Sequence, residues 1–488
     1  MTHRSEAATI RRRVGHPILD VDAHMLEFMP AVLPHLREAL GPRLFEDYRK
    51  QGPLVRRSHP PLSARDALSM RMPQTSWWAC TNDALERATI MLPGLFYERM
   101  EDLGLDFCVQ FTTNALSQCS VPDEELRAGI CRGFNEYYAE TYRPYRDRIA
   151  PAGLIPMHTP AEAIAELDHC AAIGLKAVVL PEAVLRPIEQ LPPEIPNGVL
   201  WPGQRHWLDR FGLDSAYDYD PVWARAREHG FAVCFHGQLA NVPGYYSSPT
   251  NYVYNHVGFF ASLMAPLCKA LYLGGVTRRH PGQPFAFLEC GVSWAMQMLC
   301  DSLEHWEKRR VEALDRLDPA GLDFDALDDL VKRYGGPFAD IDESKRRAAY
   351  AGEAIDQPPP EEPDDFVHLG ASSKQEMCDL FSRDLYFGCE ADDRGVATAF
   401  AHSNPRGTKL KAMFSSDIGH WDVVEQTGVV PEAYGLIEKG VLDEGQFRDF
   451  AFAHAAEMLL KANPAFFEGT ALEAEAAALT IEAPPERL

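Results

Sequence analysis

The sequence predicts a parallel (β/α)8 barrel of the TIM type with long insertions. Eight short apolar runs recur along the chain, and most are followed by a helical pattern. Residue types able to bind a metal stand at the ends of the first, fifth, sixth and eighth of these runs. Strands alternating with helices imply a parallel sheet under a helical cover. In the eight-stranded barrel, chemistry gathers at the C-terminal ends of the strands.

The first strand is expected near 17–23, ending in Asp22-Ala23-His24. Residues 28–95 follow as mixed helix and loop. The second strand covers 105–111 and leads to a helix from Glu124 to Arg143. The third covers 148–156, and Thr159-Pro160 then starts a helix with proline at its first position. The fourth is Leu175–Leu180. A long Pro- and Gly-rich loop, 183–218, precedes a helix over Pro221–Glu228 and the fifth strand, 231–236. An irregular segment over 237–255 leads into an apolar helix from about Val257 to Leu273. The sixth strand is Phe285–Glu289, followed by a helix over Ser293–Arg309. Residues 311–382 read as a charged insertion with local helices. Strands at Leu385–Cys389 and 410–416 and helices at 430–440 and 444–461 complete the barrel, expected over 16–465. Residues 1–15 read as an N-terminal extension. Residues 466–488 read as an Ala/Glu-rich tail that frays or packs on a neighbour.

Composition narrows the function. The formal charge is −24, from 47 basic and 71 acidic residues, so no basic face for nucleic acid is expected. Hydrophobic residues make up 46% of the chain, enough for a large core. The 11 cysteines include no Cys-x-x-Cys pair, which fits reduced thiols in a cytoplasmic protein. Arg11-Arg12-Arg13 is followed by no apolar segment of a signal peptide, and no run reads as a membrane span. A P-loop, a Gly-x-Gly-x-x-Gly turn, His-Glu-x-x-His and Gly-x-Ser-x-Gly are all missing.

The strand ends carry the chemistry. Asp22 and His24 lie at i and i+2 of one strand, so both side chains leave the same face. His236 ends the fifth strand and Asp417 follows the eighth. Together these four could converge on one metal at the barrel mouth. Each has a plainer alternative: a packed core histidine for His236, a helix cap for Asp417. Glu289 closes an apolar strand and is either ion-paired or functional, as a general base or as the support of a ligand histidine. His420 is a proton donor, a substrate contact or a solvent-facing loop residue. Glu27 reaches the pocket or caps the next segment. His256 opens a helix on the mouth side among Tyr245, Tyr246, Tyr252, Tyr254, Phe259 and Phe260. It could line a pocket for an apolar or aromatic small molecule, or simply pack beneath a loop.

At these residues the chain resembles the amidohydrolase-related family, the branch of the amidohydrolase superfamily that includes aminocarboxymuconate-semialdehyde decarboxylase. Ile18-Leu19-Asp20-Val21-Asp22-Ala23-His24-Met25-Leu26-Glu27 is similar to its first-strand motif, and Ser416-Asp417-Ile418-Gly419-His420 to its eighth-strand motif. Gly275–Pro281 with Phe287–Trp294 resembles the segment around strand six. The resemblance implies Asp22, His24, His236 and Asp417 as ligands of one divalent metal, zinc first and manganese as the alternative. It also implies a homo-oligomer, expected as a dimer. Two positions depart from the family: Asp22 stands where many members have histidine. Glu289 stands where the characterised decarboxylases usually have a proton-handling histidine. The expected activity is therefore hydrolysis through metal-activated water, with Asp417 or Glu289 taking the proton and His420 serving the leaving group. The alternatives are non-oxidative decarboxylation of an aromatic or unsaturated acid, and a barrel whose site no longer catalyses.

Overall fold

The computed structural model describes residues 5–56, 63–73, 81–189, 206–237, 247–317, 321–350 and 363–479. Ten strands occur among them. In chain order they are β1 (Leu19–Met25), β2 (Phe107–Thr112), β3 (Ile149–Leu154), β4 (Ala177–Pro181), β5 (Val184–Pro187), β6 (His206–Asp209), β7 (Val233–His236), β8 (Phe285–Phe287), β9 (Leu385–Cys389) and β10 (Lys411–Phe414). Eight form one sheet in the order β1-β2-β3-β4-β7-β8-β9-β10, with every neighbouring pair parallel. The sheet curls until its last strand meets its first. The Asp417 N–H donates to the Asp22 carbonyl (2.9 Å), and the His24 N–H donates to the Ile418 carbonyl (2.6 Å). The architecture is the expected (β/α)8 barrel.

Burial explains why these strands read as apolar runs. Seven of the eight are buried at every residue, and the eighth, β10, exposes only part of Lys411. A parallel sheet covered on both faces has no polar side to alternate with. Phe235, Phe287 and Phe387 stack in series across β7, β8 and β9, with ring centroids 5.8 and 5.7 Å apart. Trp223, on the helix Asp220–Glu228, closes over Phe235 and Phe285 at 6.3 and 5.5 Å. The helix Pro160–Ala172 begins as the sequence implies: the Thr159 side chain accepts from the Glu162 N–H, and proline occupies the first turn.

Three features differ from the sequence reading, and a fourth extends it. β5 and β6 form an antiparallel hairpin inside the stretch expected to be a loop. The apolar stretch Tyr252–Leu273 is long and apolar enough to cross a membrane by length and composition, although no such run was expected. It is broken at Gly258, which is left-handed, and its second part buries Leu263, Leu267, Cys268 and Leu271 in the protein. At the C-terminus, Phe466 and Phe467 are buried against Phe107 at the start of β2, so this part of the expected tail packs on its own barrel. Finally, residues 299–377 cluster as a compact unit separate from 1–298 with 378–488, overlapping the insertion expected over 311–382. Within that unit Asp328 accepts from the Arg346 guanidinium (2.8 and 3.1 Å) and from the Tyr350 hydroxyl (2.9 Å).

Phe235 is fully buried and meets Phe287, Phe285 and Trp223, so Phe235→Ala is expected to remove about 3–5 kcal/mol of stability. A urea unfolding curve reads this directly, and an unchanged midpoint would contradict the packing described.

Candidate metal centre

The site is built where β1 meets β10. The pairing of β1 with β2 slips between Asp20 and Ala23, leaving one extra residue on β1. Such a bulge re-aims side chains and frees a backbone group. Here the Asp22 N–H turns to Asp20 Oδ1 (3.1 Å). The fully buried Asp20 carboxylate also accepts from the Ser416 N–H (3.0 Å) and the Ser416 hydroxyl (2.5 Å). Burial raises its pKa to about 7, with the Ser416 and Asp22 hydrogen bonds opposing. Ser415 donates its hydroxyl to Asp22 Oδ2 (2.7 Å). The first and last strands are thereby fastened through the residues that aim Asp22.

Two of the acids stand on strained backbone. Glu289 (φ 58°) follows β8 and Asp417 (φ 53°) follows β10, both in the left-handed region that non-glycine residues rarely occupy. Such strain persists only where the surroundings enforce it, and it gathers at functional sites. Two glycines make room for these turns. A Cβ on Gly388 would lie 3.1 Å from Leu288 Cα and 3.2 Å from the Glu289 nitrogen. A Cβ on Gly419 (φ 115°) would lie 2.6 Å from the His24 carbonyl oxygen.

The side chains converge. His24 Nε2 and His236 Nε2 are 3.1 Å apart, and Asp22 Oδ1 lies 3.5 and 3.8 Å from them. Asp417 Oδ1 is 3.4 Å from His24 Nε2, and Glu289 Oε2 is 3.2 Å from His236 Nε2. His420 Nδ1 is 2.5 Å from Asp417 Oδ1, and its ring stacks on His24 with centroids 3.8 Å apart. His236 Nδ1 faces the Gly237 carbonyl (3.4 Å), a contact that suits the tautomer protonated at Nδ1, in which the Nε2 lone pair would face the cluster.

This donor set fits a metal. Ligands about 2.0–2.2 Å from one ion lie about 3–3.6 Å from one another, close to the spacings found. Among the described residues, no donor satisfies the buried Asp22 Oδ1 or Glu289 Oε2. Asp22, His24 and His236 form one group with metal-ligand spacing, and His24, Asp417 and His420 form another. Burial drives every one of these groups toward neutrality. The carboxyls of Asp22, Glu289 and Asp417 are raised, with Asp417 and Asp422 the largest charge contributions after burial for Glu289 and Asp417 respectively. His236 is lowered to about 3, and His24 lies well below its usual range. A divalent cation would stabilise the carboxylates and neutral imidazoles it binds.

The other expected residues fall in different places. Glu27 is buried against β2, with Oε1 accepting from Tyr138 (2.7 Å) and Thr112 and Oε2 accepting from the Asn114 N–H (3.0 Å). Both of its oxygens are thus engaged in holding the first connection. His256 lies on the wall of a cleft of about 430 Å³ that reaches Glu289. Its ring meets Trp421 at 5.4 Å and Phe260 at 5.5 Å, and Phe260 in turn meets His236 at 6.1 Å. Tyr245 and Tyr246 lie outside the described residues. The sequence reading passed over Asp20, Ser415, Ser416, Glu390 and Asp422. The spacing Asp20-x-Asp22-x-His24 was the one signal that could have exposed Asp20.

Residues 93–337, half of the chain, match the family model described as amidohydrolase, and the chain belongs to that family. The match includes His236, His256 and Glu289. The crystal structure of an amidohydrolase from Mycobacterium avium subsp. paratuberculosis K-10 is similar in fold, with a TM-score of 0.50 at 14% identity over 91% of this chain and 99% of that one. A 2,6-dihydroxybenzoate decarboxylase in complex with 2,6-dihydroxybenzoate gives 0.49 at 12% identity, covering 91% and 99%. The dihydroxybenzoic acid decarboxylase of Polaromonas sp. JS666, with bound manganese and 2-nitroresorcinol, gives 0.49 at 13%, covering 91% and 97%. No curated protein matches the chain.

Gly419→Ala places a methyl group against the His24 carbonyl in a backbone region that disfavours it. It is expected to lower stability by about 1–3 kcal/mol and to reduce bound metal. Wild-type melting temperature and metal content in the variant would contradict this close approach.

Proposed function

We propose that the protein is a metal-dependent hydrolase of a small molecule, with Asp22, His24, His236 and Asp417 holding one divalent ion, zinc or manganese. The observation that carries this reading is the buried Asp22 Oδ1, which has no donor among the described residues yet lies within 3.8 Å of the Nε2 atoms of His24 and His236. A divalent ion supplies Lewis acidity and activates water at neutral pH. The protein's own groups do the rest. Asp417, paired with His420 at 2.5 Å, is placed to take the proton of the attacking water. His420, about one-fifth exposed at the edge of the site, is placed to hand a proton to the leaving group. Glu289 borders both the ligand cluster and the cleft, so it can orient His236 or the substrate.

Asp417→Asn tests this assignment. Asparagine tolerates the left-handed backbone, so the fold should persist while kcat falls by about 10²–10⁴-fold. Undiminished turnover with unchanged metal content would exclude Asp417 from the chemistry.

Loss of CO2 from a carboxylic acid at the same site is the second reading. It is favoured by His420, whose accessible ring could protonate the carbon left behind. The two decarboxylases named above share the general fold at 12–13% identity and say no more than that. Assays of metal-loaded protein should find amide or ester cleavage and no CO2 release from hydroxyaromatic acids. CO2 release without hydrolysis would reverse the order of the two readings.

A further inference from the structure

The cleft beside the ligand cluster has an unusual lining for an enzyme of carboxylic acids. Five carboxylates border it: Glu289, Glu390, Asp392, Asp393 and Asp422. No lysine or arginine occurs among the described residues that line it. Its remaining wall holds the aromatic rings of His256, Phe259, Phe260 and Trp421 beside small and aliphatic residues. Trp421 meets Tyr252 and His256 edge-on, each with centroids 5.4 Å apart, and Phe260 bridges this group to His236. Glu289 closes the inner end. It is buried, its Oε2 has no donor among the described residues, and it touches the ligand cluster at His236.

The charge balance decides which molecules such a cleft accepts. A divalent ion offsets two of the carboxylates Asp22, Asp417 and Glu289, leaving the inner site at or below neutrality. The acids at the cleft mouth add negative potential to the extent that they are ionised; burial and then Asp422 raise Glu390 to about 7, and no cation in the described lining counters them. A carboxylate substrate would meet like charge throughout its approach. Aromatic rings beside carboxylates instead make an environment suited to an organic cation.

We propose that the cleft is the specificity pocket for a substrate bearing a protonated amine or quaternary ammonium group. The cationic end sits against Trp421, His256 and Phe260 and within the field of Glu390 and Asp422. The scissile end reaches past Glu289 to the ligand cluster. This rests on the hydrolase reading and adds a substrate class to it.

The test uses three probes of one shape: choline, its uncharged isostere 3,3-dimethylbutan-1-ol, and 3,3-dimethylbutyrate. Each is titrated calorimetrically into full-length, metal-loaded protein and into a Glu390→Gln variant whose metal content has been measured. The expected result is choline binding about tenfold tighter than the alcohol, with the carboxylate weakest. Glu390→Gln should weaken choline by about three- to fivefold, leave the alcohol unchanged and keep the metal. Equal binding of choline and the alcohol, tighter binding of the carboxylate, no binding of any probe, or no effect of Glu390→Gln would overturn the proposal. The two readings fail separately. Choline selectivity in a protein that hydrolyses no ester or amide would defeat only the hydrolase reading. Hydrolysis in a protein that prefers the carboxylate would defeat only the cationic pocket.

Discussion

The buried carboxylate of Asp20 holds the seam on which the rest of the site depends. A curled parallel sheet has two edges to join, and here they are β1 and β10. Asp20 accepts from the displaced Asp22 N–H on its own strand and from both donors of Ser416 across the seam. Ser415 then fixes the neighbouring carboxylate of Asp22. With the edges joined, Asp417 and His24 come within 3.4 Å. Removing the Asp20 carboxylate would leave several buried donors without an acceptor, each at a cost of about 1–3 kcal/mol.

Local strain and global closure work together. Glu289 and Asp417 adopt left-handed backbone that neither residue type prefers, and each turns its carboxyl toward the same cluster. Gly388 and Gly419 supply the space for those turns. The aromatic stack of Phe235, Phe287 and Phe387 lies beneath β7, β8 and β9 and keeps their ends in fixed relation. The acids are thereby held on strained backbone and in a buried setting that disfavours their charge. A divalent cation held by these groups would relieve that arrangement.

All eight barrel strands were legible in the sequence because strands buried on both faces read as unbroken apolar runs, such as Leu385–Cys389. Asp22, His24, His236 and Asp417 were legible as candidate ligands for a related reason: polar residues at the end of a buried strand need a partner. What escaped depended on contacts between distant segments. The bulge in β1 exists only relative to β2, so nothing in Asp20–Ala23 announces it. The left-handed turns at Glu289 and Asp417 carry acids where glycine or asparagine would have signalled them. The hairpin of β5 and β6 lies in a Pro- and Gly-rich stretch and exposes part of its surface. The break at Gly258 depends on how the apolar helix behind it is buried. The acid lining of the cleft comes from three separate connections and was invisible along the chain.

The central question is whether closure of the barrel creates a single cation site. Crystals grown with manganese and measured for its anomalous scattering decide this most directly. One strong peak is expected within about 2.0–2.4 Å of Asp22 Oδ1, His24 Nε2 and His236 Nε2. A peak elsewhere, or none at saturating manganese, would contradict it.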